Sequence, residues 1–555
     1  MQDLVTHARK FHLVGLILLA LAILIRGLTL EVSDLVDPTE ARYAAVAQQM
    51  VQTGNWLTPQ IPSPAGVIPY LGKPPLHFWL TATAYSFFGV EEWTSRLPSF
   101  LGAVIIILCA VRFAASKFDL RTGLIGALIL ASSAIFFLFS GASALDITLA
   151  ASTAVAMLAF AERAPRSPRG AWGLLFFVAL ALGFMIKGPV AIVLIALPLL
   201  LWTSLTKEWA RLTSLPWVSG AAAFFVICVP WFFLQERANP GFLNYFFIQE
   251  NIGRYLFKNY GDRYGSGHVH PYGTSWLFLG AGVLPWALVP VVSLLRGVRP
   301  SELLALKPAQ SRWLLYAIIW GIAPALFFTF ARQLHIGYII PGIAGISIAS
   351  AWCVTALLDA GYRAQLQQFV VVVASIAILA SLSLIGGASF FSLTSPFHLQ
   401  VVALALTGLF LACFSLRYRH QAMFQLGLTC VALVSCFGGL IFALSTQSNQ
   451  ASSSRSAINA ILAVEPEFRP TIGIITENTY SHYFYSLAWQ GELSRAVQIQ
   501  YVSAPNINDS ALKHLLIKNK DLRSVPKQAL VHFSSVVNFG KWTWLKRGEK
   551  GGGSG

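Results

Sequence analysis

The chain has 555 residues, 56% of them hydrophobic and 11% charged, with a mean hydropathy of +0.64 and a formal net charge of +16. Soluble domains carry about 25% charged residues, so the composition excludes an ordinary soluble fold and predicts a polytopic α-helical membrane protein. Most of the basic residues lie in short loops between apolar runs, where they report topology. The charge therefore argues for membrane lipid as a partner and against nucleic acid.

A spanning helix needs roughly 20 apolar residues. The runs that meet or approach this are 11–30, 97–115, 122–139, 147–161, 172–187, 188–205, 216–233, 273–294, 313–331, 336–357, 367–388, 398–416 and 422–444. The first follows Arg9 and Lys10 without a small-residue cleavage site and reads as a retained span. The run 76–90 is decided by charge. If it crossed, the basic loops 112–121 and 163–169 would move to the outer face, so it is expected to lie in the membrane plane or to be half inserted. The outcome is a transmembrane domain over 1–446 with about thirteen spans, a cytoplasmic N-terminus and outer loops 32–96 and 234–272. All six cysteines fall inside apolar runs, which supports neither a disulfide framework nor a zinc site.

Beyond 446 the pattern changes. Strand-like pieces (TIGIIT, AVQIQYVS, QALVHF) and helical ones (SAINAILAV, SALKHLLIKN) predict a small α/β domain over 447–546, outside the membrane. Residues 547–555 are a tail whose GGGSG resembles an artificial linker. No internal repeat is visible, which counts against a transporter built from repeated halves.

The candidate chemistry sits mainly in the first outer loop. Asp37-Pro38 opens a helical stretch, 39–52, in which Asp37 suits the N-cap and Glu40 could complete a capping box; either could instead be a catalytic carboxylate. Tyr43, Val46, Ala47 and Met50 share one face of that stretch and Arg42 lies off it, the pattern of a helix on the outer membrane surface. Tyr70 and Lys73 follow, with Pro74-Pro75 stiffening the chain beside the lysine. A lysine and an arginine at a bilayer face supply a point charge and a planar fork for a lipid phosphate. Asp146 interrupts an apolar stretch, and an acid there is a functional candidate. Lys187, in Lys187-Gly188-Pro189, is a second phosphate contact or a helix-end anchor. The loop 234–272 adds Arg254 and the pair His268 and His270, whose spacing allows metal binding. Arg332 and Tyr338 stand at the outer end of a later span as candidate site wall.

The run TEARYAAVAQQM, TGNWLTPQI, YLGKPPLHFWL, SRLPSFLGA, SALD, KGPVA and HPYGTSW resembles the ArnT-like glycosyltransferases of the membrane GT-C superfamily, to which the protein O-mannosyltransferases are related. The resemblance covers the chain to about residue 345. It implies a donor sugar on undecaprenyl phosphate, with 4-amino-4-deoxy-L-arabinose as one candidate since the motifs are not specific to one sugar, and an acceptor glycolipid such as lipid A. It also implies transfer at the periplasmic face of a bacterial inner membrane; the sequence does not fix the oligomeric state, and a monomer is the expectation. By motif, Arg42, Tyr43, Tyr70, Lys73, Asp146 and Lys187 would line the donor cavity, and His268 or His270 would stand near a divalent metal ion, the one cofactor expected. The family's acid three residues before the arginine is Thr39 here, and its acid before the KPP lysine is Gly72. The expected reaction inverts the sugar: cations stabilise the departing polyprenyl phosphate. An acceptor hydroxyl would need a base, Asp37 or Glu40, and an acceptor phosphate would not. Another acceptor, a core or O-antigen sugar hydroxyl or a protein, is the alternative.

Overall fold

The computed structural model describes residues 2–63, 66–163, 170–257, 264, 268–391, 397–418, 421–452, 454–464, 471–474, 480–488, 498–501, 512–523, 525–539 and 541–548. The chain divides into two compact units. The first comprises 1–30, 71–77 and 96–443; the second comprises 31–70, 78–95 and 444–555. The later division falls between 443 and 444, and residues 31–70 and 78–95 group with the C-terminal segment.

In the first unit every expected apolar run is helical. It contains α1 (Gln2–Leu28), α4 (Glu92–Lys117), α5 (Leu120–Ala131), α6 (Ala134–Phe139), α7 (Leu145–Glu162), α8 (Ala171–Lys187) and α9 (Pro189–Thr206). Further helices include Trp217–Ala238, Ser311–Phe327, Ile340–Asp359, Arg363–Phe391, His398–Arg417 and Ala422–Ser452. Nine helices among the described residues are long and apolar enough to cross a membrane.

Two runs are not continuous, so the tally of thirteen unbroken spans is not reproduced. The run 122–139 divides into α5 and α6 at Ser132 and Ser133, whose hydroxyls donate back to the carbonyls of Leu128 and Ile129 at 2.6 and 2.8 Å. Such back-bonding bends helices. The run 273–294 divides into Thr274–Gly282 and Leu288–Leu295. Pro285 lies between them, and a proline removes a helix donor and clashes with the preceding turn.

The basic helix ends come together. Arg112 and Lys117 both reach Glu162, Arg121 and Lys307 share Asp359, and Arg312 meets Glu208. Next to them the core is aromatic, with Phe113, Phe160, Trp202 and Trp313 packed around Tyr316. The Tyr316 hydroxyl donates to the Met157 carbonyl at 2.8 Å, giving the buried ring its polar partner.

The second unit holds α2 (Thr39–Thr53), a hairpin of β1 (Gln60–Ser63) and β2 (Gly66–Pro69), and most of α3 (Leu76–Phe88). At ~1.5 Å per residue, a 13-residue helix is about 20 Å long, short of a ~30 Å hydrocarbon core, as the charge argument required of 76–90. The C-terminal part is a five-stranded sheet, order β4-β3-β5-β7-β6. Its strands are β3 (Thr471–Ile474), β4 (Gln498–Tyr501), β5 (His514–Lys518), β6 (Phe533–Phe539) and β7 (Trp542–Arg547). β3 runs parallel to β4 and β5, whereas β7 is antiparallel to β5 and β6.

Two sequence expectations fail in this sheet. The segment SALKHLLIKN, read as helix, supplies β5, because its apolar run is buried on both faces and periodicity cannot separate that from a helix. QALVHF, read as strand, begins as a 3-10 turn, Lys527–Leu530, before β6. α2 also differs from a helix lying on a membrane surface. Ala44 to Met50 are all buried, and Gln48 donates to the Phe484 carbonyl in helix Ser481–Ala488 at 3.4 Å.

Candidate functional site

The first unit gathers charge from four places in the chain. Leu71 N–H donates to the Tyr264 hydroxyl at 3.0 Å, and Pro74-Pro75 stiffens the following turn. Lys73 is thereby held so that its Nζ donates to the Glu250 carboxylate at 2.5 Å and to the Gly72 carbonyl at 2.7 Å. Glu250 lies in a π-helical stretch, Tyr245–Gly253, a local geometry often found at functional sites. Arg254, one turn on, donates to the same Glu250 oxygen at 2.6 Å and through Nε to the Gln333 side chain at 3.1 Å. Gln333 is fixed in turn because segment 268–270 pairs with 332–334. Val269 bridges Gln333, and Leu334 N–H donates to the His268 carbonyl at 2.9 Å.

The fourth contribution comes from two helix ends. Asp146 is in the first turn of α7 and Lys187 is the last residue of α8; they pair at 2.5 Å. The Lys187 ammonium also lies 4.1 Å from the centre of the Tyr338 ring, a cation–π contact. Two glycines permit this closeness. Gly188 has φ +75°, and a Cβ there would sit 2.5 Å from the Phe246 ring. A Cβ on Gly337 would sit 2.8 Å from an Asp146 oxygen.

Lys73, Lys187, Glu250, Arg254, Gln333 and Tyr338 line a cavity of about 320 Å³. Its remaining wall is largely apolar and includes Val190, Val193, Leu256, Phe327 and Phe328. The Lys73 and Glu250 side chains are 16% and 3% exposed, so the pair is largely withdrawn from water. Burial pushes the Lys73 ammonium below the usual lysine range. Glu250 draws it partly back, while Arg254 works with burial. The cavity therefore joins an oily wall to cations held in fixed directions, an arrangement chemically suited to an amphiphile with an anionic head. His77 is fully buried beside it, bonded through Nδ1 to Thr148 at 3.2 Å. Burial pushes its pKa down to about 4, against the pull of Asp146, so it stays neutral near pH 7.

The expected metal pair does not stand in this cavity. His268 is exposed, with its ring centre 6.0 Å from that of His335, and His270 packs on Phe278 at 5.3 Å. Among the described residues no group of three or more His, Cys, Asp or Glu converges on a point. Catalytic zinc sites use three protein ligands, so the described residues do not fit such a centre. Arg332 is also outside the wall: its guanidinium lies 4.1 Å from the Tyr272 ring centre, and its neighbour Gln333 faces the cavity instead.

The remaining candidates lie in the second unit. Asp37 does not cap α2, whose N-cap position is Pro38 with no side-chain bond. It accepts from the backbone N–H groups of Tyr480 and Ser481 at 2.8 and 3.0 Å and from the Ser481 hydroxyl at 2.6 Å, so it caps helix Ser481–Ala488. Burial raises its pKa, and Lys518, 3.9 Å away, and these bonds offset that only in part. Glu40 accepts from the Val36 N–H at 3.0 Å. Arg42 lies 5.0 Å from the Tyr480 ring centre. Burial works against its charge, but Tyr70, Tyr480 and Tyr43 outweigh that and hold its pKa above the ordinary value. Tyr43 and Tyr70 both pack on Phe78, at 5.7 and 5.9 Å.

Residues 12–246 match the family of dolichyl-phosphate-mannose-protein mannosyltransferases. An undecaprenyl phosphate-alpha-4-amino-4-deoxy-L-arabinose arabinosyl transferase of Sodalis glossinidius is 30% identical over 57% of this chain and 54% of that protein. One of Pseudomonas savastanoi is 28% identical over 71% of each. The chain thus spans little more than half the length of the Sodalis relative. The crystal structure of ArnT from Cupriavidus metallidurans bound to undecaprenyl phosphate superposes with a TM-score of 0.74 at 22% identity, covering 96% of this chain and 97% of that one. The chain shares the fold of that structure.

Two members of the cavity escaped the sequence reading. Glu250 was visible only as one polar residue of a long loop; its i, i+4 relation to Arg254 was the available signal. Gln333 carried no signal, because its place depends on pairing with Val269 across 64 residues of chain.

Proposed function

We propose that the ArnT-like chain is a polyprenyl-phosphate-sugar-dependent glycosyltransferase of the bacterial inner membrane. It would transfer 4-amino-4-deoxy-L-arabinose from undecaprenyl phosphate to lipid A at the periplasmic face, with a cytoplasmic N-terminus and a periplasmic C-terminal domain. It would act as a monomer. The observation that carries this reading is the cavity in which Lys73, Lys187 and Arg254 meet an apolar wall. An isoprenoid chain suits the wall and a phosphate suits the cations. The names of the relatives supply the sugar and the carrier.

In the proposed transfer the bond between the sugar's anomeric carbon and the phosphate oxygen breaks. The acceptor oxygen bonds that carbon from the opposite face, and the bonding electrons leave on the polyprenyl phosphate. The additional negative charge develops beside Lys73, Lys187 and Arg254, which are already oriented and need little rearrangement. An ionised phosphate acceptor needs no base. A hydroxyl acceptor would pass its proton to a carboxylate at the cavity, Glu250 or Asp146. Asp37 and Glu40 are assigned to holding the second unit together, since their oxygens accept backbone N–H bonds. No step is assigned to a metal ion.

The test is release of undecaprenyl phosphate from the glycosylated donor by purified protein, with and without lipid A. Release that depends on acceptor supports the reading, and movement of intact donor without cleavage overturns it. The match to protein mannosyltransferases keeps a second acceptor class in view. Mass spectrometry of envelope lipids with and without the gene separates the two, because only a glycolipid acceptor changes mass there.

A further inference from the structure

The charges around the cavity do not balance. Among the described residues, the cations Lys73, Lys187 and Arg254 face the carboxylates Glu250 and Asp146, leaving one net positive charge. His77 is neutral, and His335, beside Asp146, is pushed below the usual histidine range by burial, with Asp146 only partly opposing. Glu250 is the pivotal member: its single oxygen Oε1 binds both Lys73 and Arg254.

Resting on the reading above, we propose that Glu250 is a specificity-determining residue that sets the cavity's charge to match a lipid phosphodiester and to disfavour the phosphomonoester. A phosphodiester carries one negative charge. A phosphomonoester carries about −1.5 to −2 near pH 7. In a confined apolar-walled cavity, uncompensated charge is costly. The diester leaves the occupied cavity neutral, whereas the dianion leaves it negative with the Glu250 carboxylate close by. Glycosyl transfer turns the first species into the second, so Glu250 favours loading of donor and departure of spent carrier. Without its charge the cavity carries two net positive charges and becomes a trap for the product.

The test uses the purified full chain in detergent with two probes, farnesyl phosphate and its methyl diester, and measures both dissociation constants near pH 7.5. Glu250→Gln is expected to tighten farnesyl phosphate about tenfold relative to the diester, the scale of one added charge in a partly buried site. Glu250→Asp, which keeps the charge, is expected to retain the wild-type ratio. Gln333→Lys adds a positive charge elsewhere on the same wall and is expected to shift the ratio the same way, which covers a Glu250→Gln variant that folds poorly. A ratio unchanged in Glu250→Gln and Gln333→Lys overturns the inference while leaving the anion site intact. Failure of the wild-type chain to bind either probe overturns the anion site and this inference with it.

Discussion

Lys73 and Glu250 are 177 residues apart in sequence and meet at 2.5 Å in a nearly water-free setting. Glu250 also holds Arg254, so one acid orients two bases toward the cavity. Replacing Lys73 with Met removes one of the cations that would face the leaving phosphate in the proposed transfer. The expected loss in turnover is about 10²–10³-fold, the scale for deleting one preorganised charge donor. Initial rates of undecaprenyl phosphate release check it, and an unchanged rate would remove Lys73 from the chemistry.

Asp37→Ala tests whether that carboxylate is a structural cap. Losing the bonds to Tyr480, Ser481 and the Ser481 hydroxyl is expected to cost about 1–2 kcal/mol, read by denaturant unfolding. Turnover per folded molecule is expected to persist. Abolished turnover with unchanged unfolding would return Asp37 to the reaction itself.

Gly188→Ala forces a side chain onto φ +75° and to within 2.5 Å of the Phe246 ring. The dihedral strain alone costs on the order of 1–3 kcal/mol. Adding Phe246→Leu relieves the contact but not the dihedral, so thermal melting of the double variant is expected to recover only part of the loss. Complete recovery would mean that the backbone at 188 carries no strain.

His482 gives the second unit an acid limit. It is fully buried and packed on Trp542 at 6.2 Å. Burial, aided by Lys518, pushes its pKa from 6.5 to about 3. Between those values the unfolded chain binds a proton that the folded chain does not, so stability rises with pH. This group's contribution is fully present above about 6.5 and is lost as pH falls toward about 3, at up to ~1.4 kcal/mol per pH unit. His482→Phe is expected to flatten that dependence, measured as melting temperature at pH 7 and pH 4.5.

The sequence carried the architecture well because membrane-scale apolar runs and loop charge are strong, local signals. It also carried Lys73, Asp146, Lys187, Arg254 and Tyr338 into one neighbourhood. It did not carry what depends on distant pairing. Asp37 beside a proline reads as a local cap, but its partner helix begins at Ser481. His268 and His270 suggest ligands by spacing, yet their backbone serves to pair with 332–334. Gln333 had no reason to stand out beside the charged Arg332. Helix breaks were legible only in hindsight, because a serine pair or a single proline inside an apolar run leaves its hydropathy nearly intact.

The bond from Ser481 to Asp37 spans 444 residues. At ~5–20 residues per second of synthesis, the segment bearing Asp37 and Arg42 is made roughly 20–90 s before the helix that completes its fold exists. During that interval the nascent loop must be sheltered without its own partner.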